Sequence, residues 1–544
     1  MSSYYWSSTT NSNNTDNAWH VNFNNGNDNN NNKSNTYYVR AVRGGKCSLF
    51  SFQSLYNAYK DCRKRKRGAL NTQKFEFESA DNIYDLACEI QKGKYLPSRS
   101  VCFITHQPKL REIFAADFRD RIIHHLVVRE LEKIYEPAFI FDSCASRPGK
   151  GIHFAVKRLQ SFMMKTTKSC KIPGFYLQLD IRSFFMSIDK NILFNIIEKK
   201  LYNKKMENAD ALLYLLHKII FHDCSKNFLF RGDNVNDLNK IPPHKSLFKI
   251  PENKGLPIGN LTSQFFANVY LNELDQFVKT NLKCRFYIRY VDDFVLLSQS
   301  EQHLLYFKEK IEFFLKEKLS LEIKNPIKTG RVSEGIDFLG YITRPKYILV
   351  RRRILNNLKY KLVLFENKLV KIKKIKNAAA FVYFSRPDLV KELKQTLSSY
   401  LGHFRHADSF NLVNSVFQKN DWLNKFLYLK NYRVFDKFKY KGNFRSLDLQ
   451  FDFFRQRLEG FILFIKVGKY YELYNDDAFF AQKALGLKKI NTKKNFENQS
   501  GFPVWRQKEI FNKIFMMKRN FAIIEQEETG KYVKNRYVKM FFEF

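Results

Sequence analysis

Two adjacent acids interrupt an apolar, strand-forming run: RFYIRY leads into Val291-Asp292-Asp293, and FVLLS follows. Carboxylates are costly to bury without a cation. A β-hairpin whose turn lies at 291–293 resolves the conflict, because it puts both acids at one sheet edge. A third acid, Asp180, closes another apolar run, YLQLD. Carboxylates gathered from two strand ends suit a pair of divalent ions about 4 Å apart, the arrangement that assists in-line phosphoryl transfer.

Charge indicates what the chain meets. In 544 residues, 93 Lys and Arg oppose 53 Asp and Glu, a formal net charge of +40. Such a surplus calls for an anionic partner, nucleic acid or an acidic membrane surface. No run of about 18 apolar residues exists and the start is polar, which argues against membrane spanning and against a secretion signal. The 8 cysteines include no CxxC pair, so neither a zinc ribbon nor a disulfide framework is indicated. No GxxxxGK[ST] phosphate loop occurs either.

Composition divides the chain. Residues 1–43 hold thirteen asparagines between Asn11 and Asn35 with almost no aliphatic residues, and are expected to stay disordered. Residues 44–100 read as a helical region ending its first apolar stretch in the basic run Arg63–Arg67, a solvated helix end or a phosphate contact. Short apolar strands alternate with helical patterns over 101–345. Residues 346–430 read as mainly helical and Lys-rich, 431–455 as a linker, and 456–544 as a small mixed α/β module.

From about 48 to 430 the chain resembles bacterial reverse transcriptases, with motifs in that family's order. PKLREIFAADFRDR (108–121) resembles the fingers strand, where Lys109 and Arg111 would grip an incoming triphosphate. SRPGKGIHFA (146–155) resembles the next block. Asp180 begins the first palm motif, and Phe185, five residues on, matches the aromatic gate that excludes a ribose 2′-OH. LPIGNLTSQFFAN (256–268) matches the second palm motif, and YVDD the third. Lys328 in NPIKTG matches a lysine that would protonate pyrophosphate. FLGY (338–341) resembles the primer grip, and SSYLGHFRHADSF (398–410) the thumb helix along the template–primer duplex.

The second palm motif narrows the resemblance. Most such enzymes carry QGxxxSP; here Ile258-Gly259 leads to Ser263-Gln264. This variant resembles reverse transcriptases of diversity-generating retroelements, which copy a template-repeat RNA and misincorporate opposite adenine. Ile258, Gly259 and Gln264 would then border the nucleotide. Apolar contact at 258 penalises a wrong base less than polar readout does. Residues 1–43 resemble the end of the lectin-fold proteins such elements diversify. Asn codons are AAC or AAT, so a translated template repeat should be Asn-rich.

FILFIKVGKYYELYNDDAFFAQKALGL and GFPVWRQKEIFNKIF resemble the mismatch-recognition domain of MutS. There a Phe-x-Glu motif wedges a ring at a mispaired base; the matching residues here are Tyr470 and Glu472, with a hydroxyl added to the ring.

The resemblances imply an α/β (α+β) multidomain chain: a right-hand polymerase with fingers, an RRM-like palm and a helical thumb, plus a MutS domain I-like module. They imply an RNA-directed DNA polymerase using two Mg²⁺ ions, or Mn²⁺, on Asp180, Asp292 and Asp293, with Lys328 as general acid. Its partners would be template RNA, a DNA or RNA primer, deoxynucleoside triphosphates and a small basic accessory variability protein, in the cytoplasm of a bacterium or archaeon or on a phage genome. A group II intron-like or phage-defence reverse transcriptase of ordinary fidelity would keep the same catalytic residues.

Overall fold

A computed structural model describes residues 4–10, 17–22, 27–32, 50–106, 109–232, 234–439, 446–491, 496–526 and 535–544. They fall into two compact units, Met1–Glu334 and Gly335–Phe544.

In the first unit a four-stranded antiparallel sheet runs in the order Lys328–Arg331, Phe175–Asp180, Asp293–Ser298, Phe286–Tyr290. Its inner strands are apolar on both faces because helices cover them. Leu177, Leu179, Phe294 and Leu296 join Leu126, Leu193, Phe266 and Leu315 in one core. The register sets Asp180 opposite Asp293, and Tyr290 opposite Asp293 across the hairpin. A second sheet pairs Ser100–Thr105 with Arg111–Ala115 and Phe228–Phe230. Helices Phe52–Arg63, Leu70–Phe77 and Ser79–Gln91 supply the expected helical region, and the basic run after Arg63 is largely exposed.

The Asn-rich segment departs from expectation. Tyr4–Thr10, Asn17–Asn22 and Asn27–Asn32 form an antiparallel meander. Tyr, Trp and Thr favour strands, and a meander needs only local pairing, not a distant core. The rest of 1–43, and Val39–Leu49, lie outside the described residues.

The second unit joins the residues read as thumb and module in one sheet, and those read as linker with them in one core. Its eight-stranded sheet begins with Val370–Ile375 and Ala378–Phe384, and continues through Arg536–Glu543, Phe521–Gln526, Ile462–Val467, Tyr470–Tyr474, Asn498–Pro503 and Lys489–Asn491. Strands from the supposed thumb and the supposed module are therefore hydrogen-bonded neighbours, Val382 opposite Phe542. One core joins Leu362, Leu393 and Leu397 to Phe454, Ile524 and Phe541. The supposed linker holds a strand, Arg433–Asp436, and a helix, Leu447–Arg455, that buries Phe451, Phe453 and Phe454. Residues 440–445 lie outside the described residues. The Lys-rich 370–384 run misleads because VKIKKI alternates with a strand period while its lysines suggest a solvated helix.

FLGY and the 398–410 motif meet in this unit. The Tyr341 hydroxyl lies 3.0 Å from His403 Nδ1, with the two rings stacked.

Candidate functional site

The carboxylate-bearing turn is strained and anchored from below. Val291 has φ +55, an outlier for a β-branched side chain. Its carbonyl accepts from Arg289 Nη1 at 3.0 Å. Arg289 is fully buried; it also donates through Nε to Asp275 Oδ1 at 2.7 Å and through Nη2 to Ser143 Oγ at 3.0 Å. Tyr287 donates to the same Asp275 oxygen at 2.7 Å.

At the sheet edge the three aspartates crowd one another. Burial, then the Asp180 charge, pushes Asp292 up to about 6. Burial and the charges of Asp180 and Asp292 push Asp293 up to about 7, against a 2.9 Å hydrogen bond from Gln178. These acids hold more negative charge than their surroundings neutralise. Asp180 turns to Lys324, whose Nζ stands 2.9 Å from its Oδ2. The Lys324 backbone N–H also bonds the Asp180 carbonyl at 2.8 Å, because residues 322–324 run beside 180–182. No group of three metal-ligating side chains forms among the described residues. The donor set nevertheless fits a hard divalent cation: all-oxygen, clustered and under-neutralised, with one member already drawn to a positive charge.

A cleft of about 670 Å³ opens in front, lined by Asp180, Asp292 and Glu322 and by the basic residues Lys109, Arg111, Arg182, His244, Lys245 and Lys324. Burial, then Lys324, Arg111 and Lys245, holds the Lys109 ammonium below its usual range. Cations that repel one another in this way invite a polyanion.

Phe185 and Ile258 complete the wall. The Phe185 carbonyl accepts from Leu256 N–H, and the Ile258 carbonyl from Phe114 N–H, both at 2.8 Å. Asn260 Oδ1 accepts from Ala116 N–H at 3.0 Å, so two bonds staple this loop to the Arg111–Ala115 strand. Gly259, at φ +126, is required there: a Cβ would stand 2.9 Å from the Phe114 carbonyl oxygen.

Two expected residues stand apart. Gln264, in the first turn of the Leu261–Gln276 helix, accepts from Ser146 Oγ at 3.2 Å instead of lining the cleft. Lys328 opens its strand opposite Gln178, exposed and outside the cleft wall. His244, Lys245 and Lys324 were not anticipated. Lys324 lies in the connection leading into the strand that Lys328 opens, and no periodicity separates them; the Pro242-Pro243 turn is the only local sign of Lys245.

In the second unit Tyr470 opens its strand and is 51% exposed. Glu472 accepts from the Tyr474 hydroxyl on its own strand, and burial raises its carboxyl above the usual range. It is thus already engaged within the sheet.

Residues 104–343 match the family model of the reverse transcriptase (RNA-dependent DNA polymerase). The chain carries a reverse transcriptase domain. Residues 446–542 match MutS domain I. The group II intron-encoded protein LtrA of Lactococcus lactis subsp. cremoris is 23% identical over 334 residues, 49% of this chain and 50% of that protein. Protein YkfC of Escherichia coli is 22% identical over 308 residues, 50% of this chain and 74% of its own length. The DNA mismatch repair protein MutS of Ehrlichia ruminantium is 32% identical over 85 residues, 16% of this chain and 10% of that protein. The chain thus spans about half the length of LtrA. Among solved structures, truncated apo telomerase from Candida tropicalis covers 50% of this chain and 60% of its own at 12% identity, with a TM-score of 0.35. The carboxylate turn and the cationic cleft both lie inside the reverse transcriptase domain. No helix among the described residues is long and apolar enough to cross a membrane.

Proposed function

We propose that this chain is an RNA-directed DNA polymerase that copies a template-repeat RNA with errors opposite adenine, for diversification of a target gene. The observation that carries the polymerase reading is the register of Asp180 against Asp293 at the mouth of a cation-lined cleft. Asp180, Asp292 and Asp293 would hold the divalent ions. Bound there, such ions lower the barrier by activating the primer 3′-oxygen and neutralising the leaving pyrophosphate. Lys109, Arg111 and Lys245 bind and orient the triphosphate. Phe185 excludes a 2′-OH by bulk. A lysine of the 324–328 segment delivers the proton to pyrophosphate, and Lys324 is the one in the cleft wall.

Ile258 supports the error-prone reading. Its side chain borders the cleft where most relatives of this class carry glutamine, so one wall near the nascent pair offers no polar check. The small basic accessory protein belongs to this reading, as does translated template repeat in residues 1–43. The group II intron-encoded relative favours a second reading, copying of ordinary fidelity.

Primer extension on an RNA template tests the polymerase reading. Asp292→Asn should keep template–primer affinity and lower the rate by about a hundredfold or more. Extension above roughly a tenth of the parent rate would refute the assignment.

A further inference from the structure

The second unit carries two bare aromatic rings on one cleft. Trp505 is 79% exposed and Tyr470 51%, and neither ring contacts another aromatic ring among the described residues. Both line a cleft of about 550 Å³ with Lys466, Lys469 and Pro503. Single exposed aromatics are ordinary; two lining one cleft offer a paired stacking surface.

Their mounts are rigid. Tyr470 stands opposite Pro503 in antiparallel register, and Val504 N–H donates to the Lys469 carbonyl at 2.9 Å. Trp505 follows at once, in a short 3₁₀ turn, Val504–Arg506. A ring on a paired strand, and another on the short turn that follows its partner, lose little backbone freedom when they engage a ligand.

Charge selects the ligand. Glu525, the acid paired with Lys466 at 3.0 Å, also accepts from Lys539 and the Tyr471 hydroxyl. Lys469 has no acid partner among the described residues. A cationic guest would meet lysines, whereas a phosphodiester strand would find them complementary.

We propose that Tyr470 and Trp505 hold between them one unpaired nucleobase of a single-stranded nucleic acid, with Lys469 on the adjacent phosphate. A two-ring sandwich needs both faces of the base, and a single strand presents them without breaking a base pair. Glu472, engaged by Tyr474, leaves recognition to stacking, which accepts any base. The site is independent of the polymerase chemistry.

The test uses the full chain and a fluorescein-labelled 12-nucleotide single-stranded oligo(dT), measured by anisotropy at a fixed salt concentration. Tyr470→Ala and Trp505→Ala should each weaken binding about tenfold, Trp505→Phe should keep most of it, and thermal midpoints should not move. Oligonucleotides carrying 5-iodouracil should crosslink to Trp505 or Tyr470, located by mass spectrometry. Primer-extension rates of these variants on a short primed template should stay within about twofold of the parent, separating this site from the polymerase cleft. Unchanged affinity in both alanine variants, or crosslinks mapping only elsewhere, would overturn the proposal. Tighter binding of a mismatched duplex than of the single strand would overturn it too.

Discussion

Arg289 holds Val291 by its backbone: the guanidinium donates to the Val291 carbonyl at 3.0 Å while its other nitrogens grip Asp275. The residue that closes the carboxylate turn is thereby fixed in a left-handed conformation that its branched side chain resists. One buried side chain links the Leu261–Gln276 helix to the turn presenting Asp292.

Arg289→Met should destabilise the protein by about 3–5 kcal/mol, since it strands Asp275 without a cation. Arg289→Lys keeps the charge but not the fork, so one ammonium has to serve both Asp275 and the Val291 carbonyl. Urea unfolding should show the larger loss in the Met variant. The Lys variant should stay folded and lose catalytic rate more than template affinity. Equal rates in parent and Lys variant would mean that the carbonyl bond does not position the turn.

The two lysines of the 324–328 segment should separate kinetically. Lys324→Ala should lower single-turnover extension by about a hundredfold, the scale of a lost general acid, and flatten the alkaline limb of the pH–rate profile. Lys328→Ala, outside the cleft wall, should cost less than about fivefold. The opposite ranking would return the role to Lys328.

Ile258→Gln should lower misincorporation opposite template adenine more than opposite the other bases. Sequenced cDNA measures it. A uniform fall in rate with the adenine error frequency unchanged would show that residue 258 only packs.

Truncation after residue 445 should cripple the 335–445 segment. Ala378–Phe384 would lose its Arg536–Glu543 partner, Tyr383 would lose the stacked Phe541 ring, and the helices Arg352–Leu369 and Pro387–Phe404 would lose Phe454. An unpaired apolar edge strand aggregates. Neither that truncation nor a 446–544 fragment should give a cooperative melt. Cooperative unfolding of the fragment would show that the MutS domain I match folds alone.

Much of the first unit was legible. The hairpin at 286–298 could be read because two apolar runs flank a two-residue gap, and Asp180 because it ends a run of the same kind. The cleft's cations were legible only in part. Arg111 opens a recognisable strand and Lys109 lies two residues before it, but Lys245 and Lys324 reach the site from connections with no periodicity. The contact of Gln264 with Ser146 was not legible, because sequence gives its position in a helix's first turn, not the direction that turn faces.

By itself the sequence determined the 286–298 hairpin and which acids stand at the ends of apolar runs. Those depend on alternation, apolar runs and residues a few positions apart. Only the tertiary structure decided that Ala378–Phe384 pairs with Arg536–Glu543, that Lys324 reaches Asp180, and that Tyr470 shares a cleft with Trp505. Any exposed strand edge offers the same row of N–H and C=O groups. The choice among distant partners therefore falls to the shared core they bury, and that core comes from the whole unit at once.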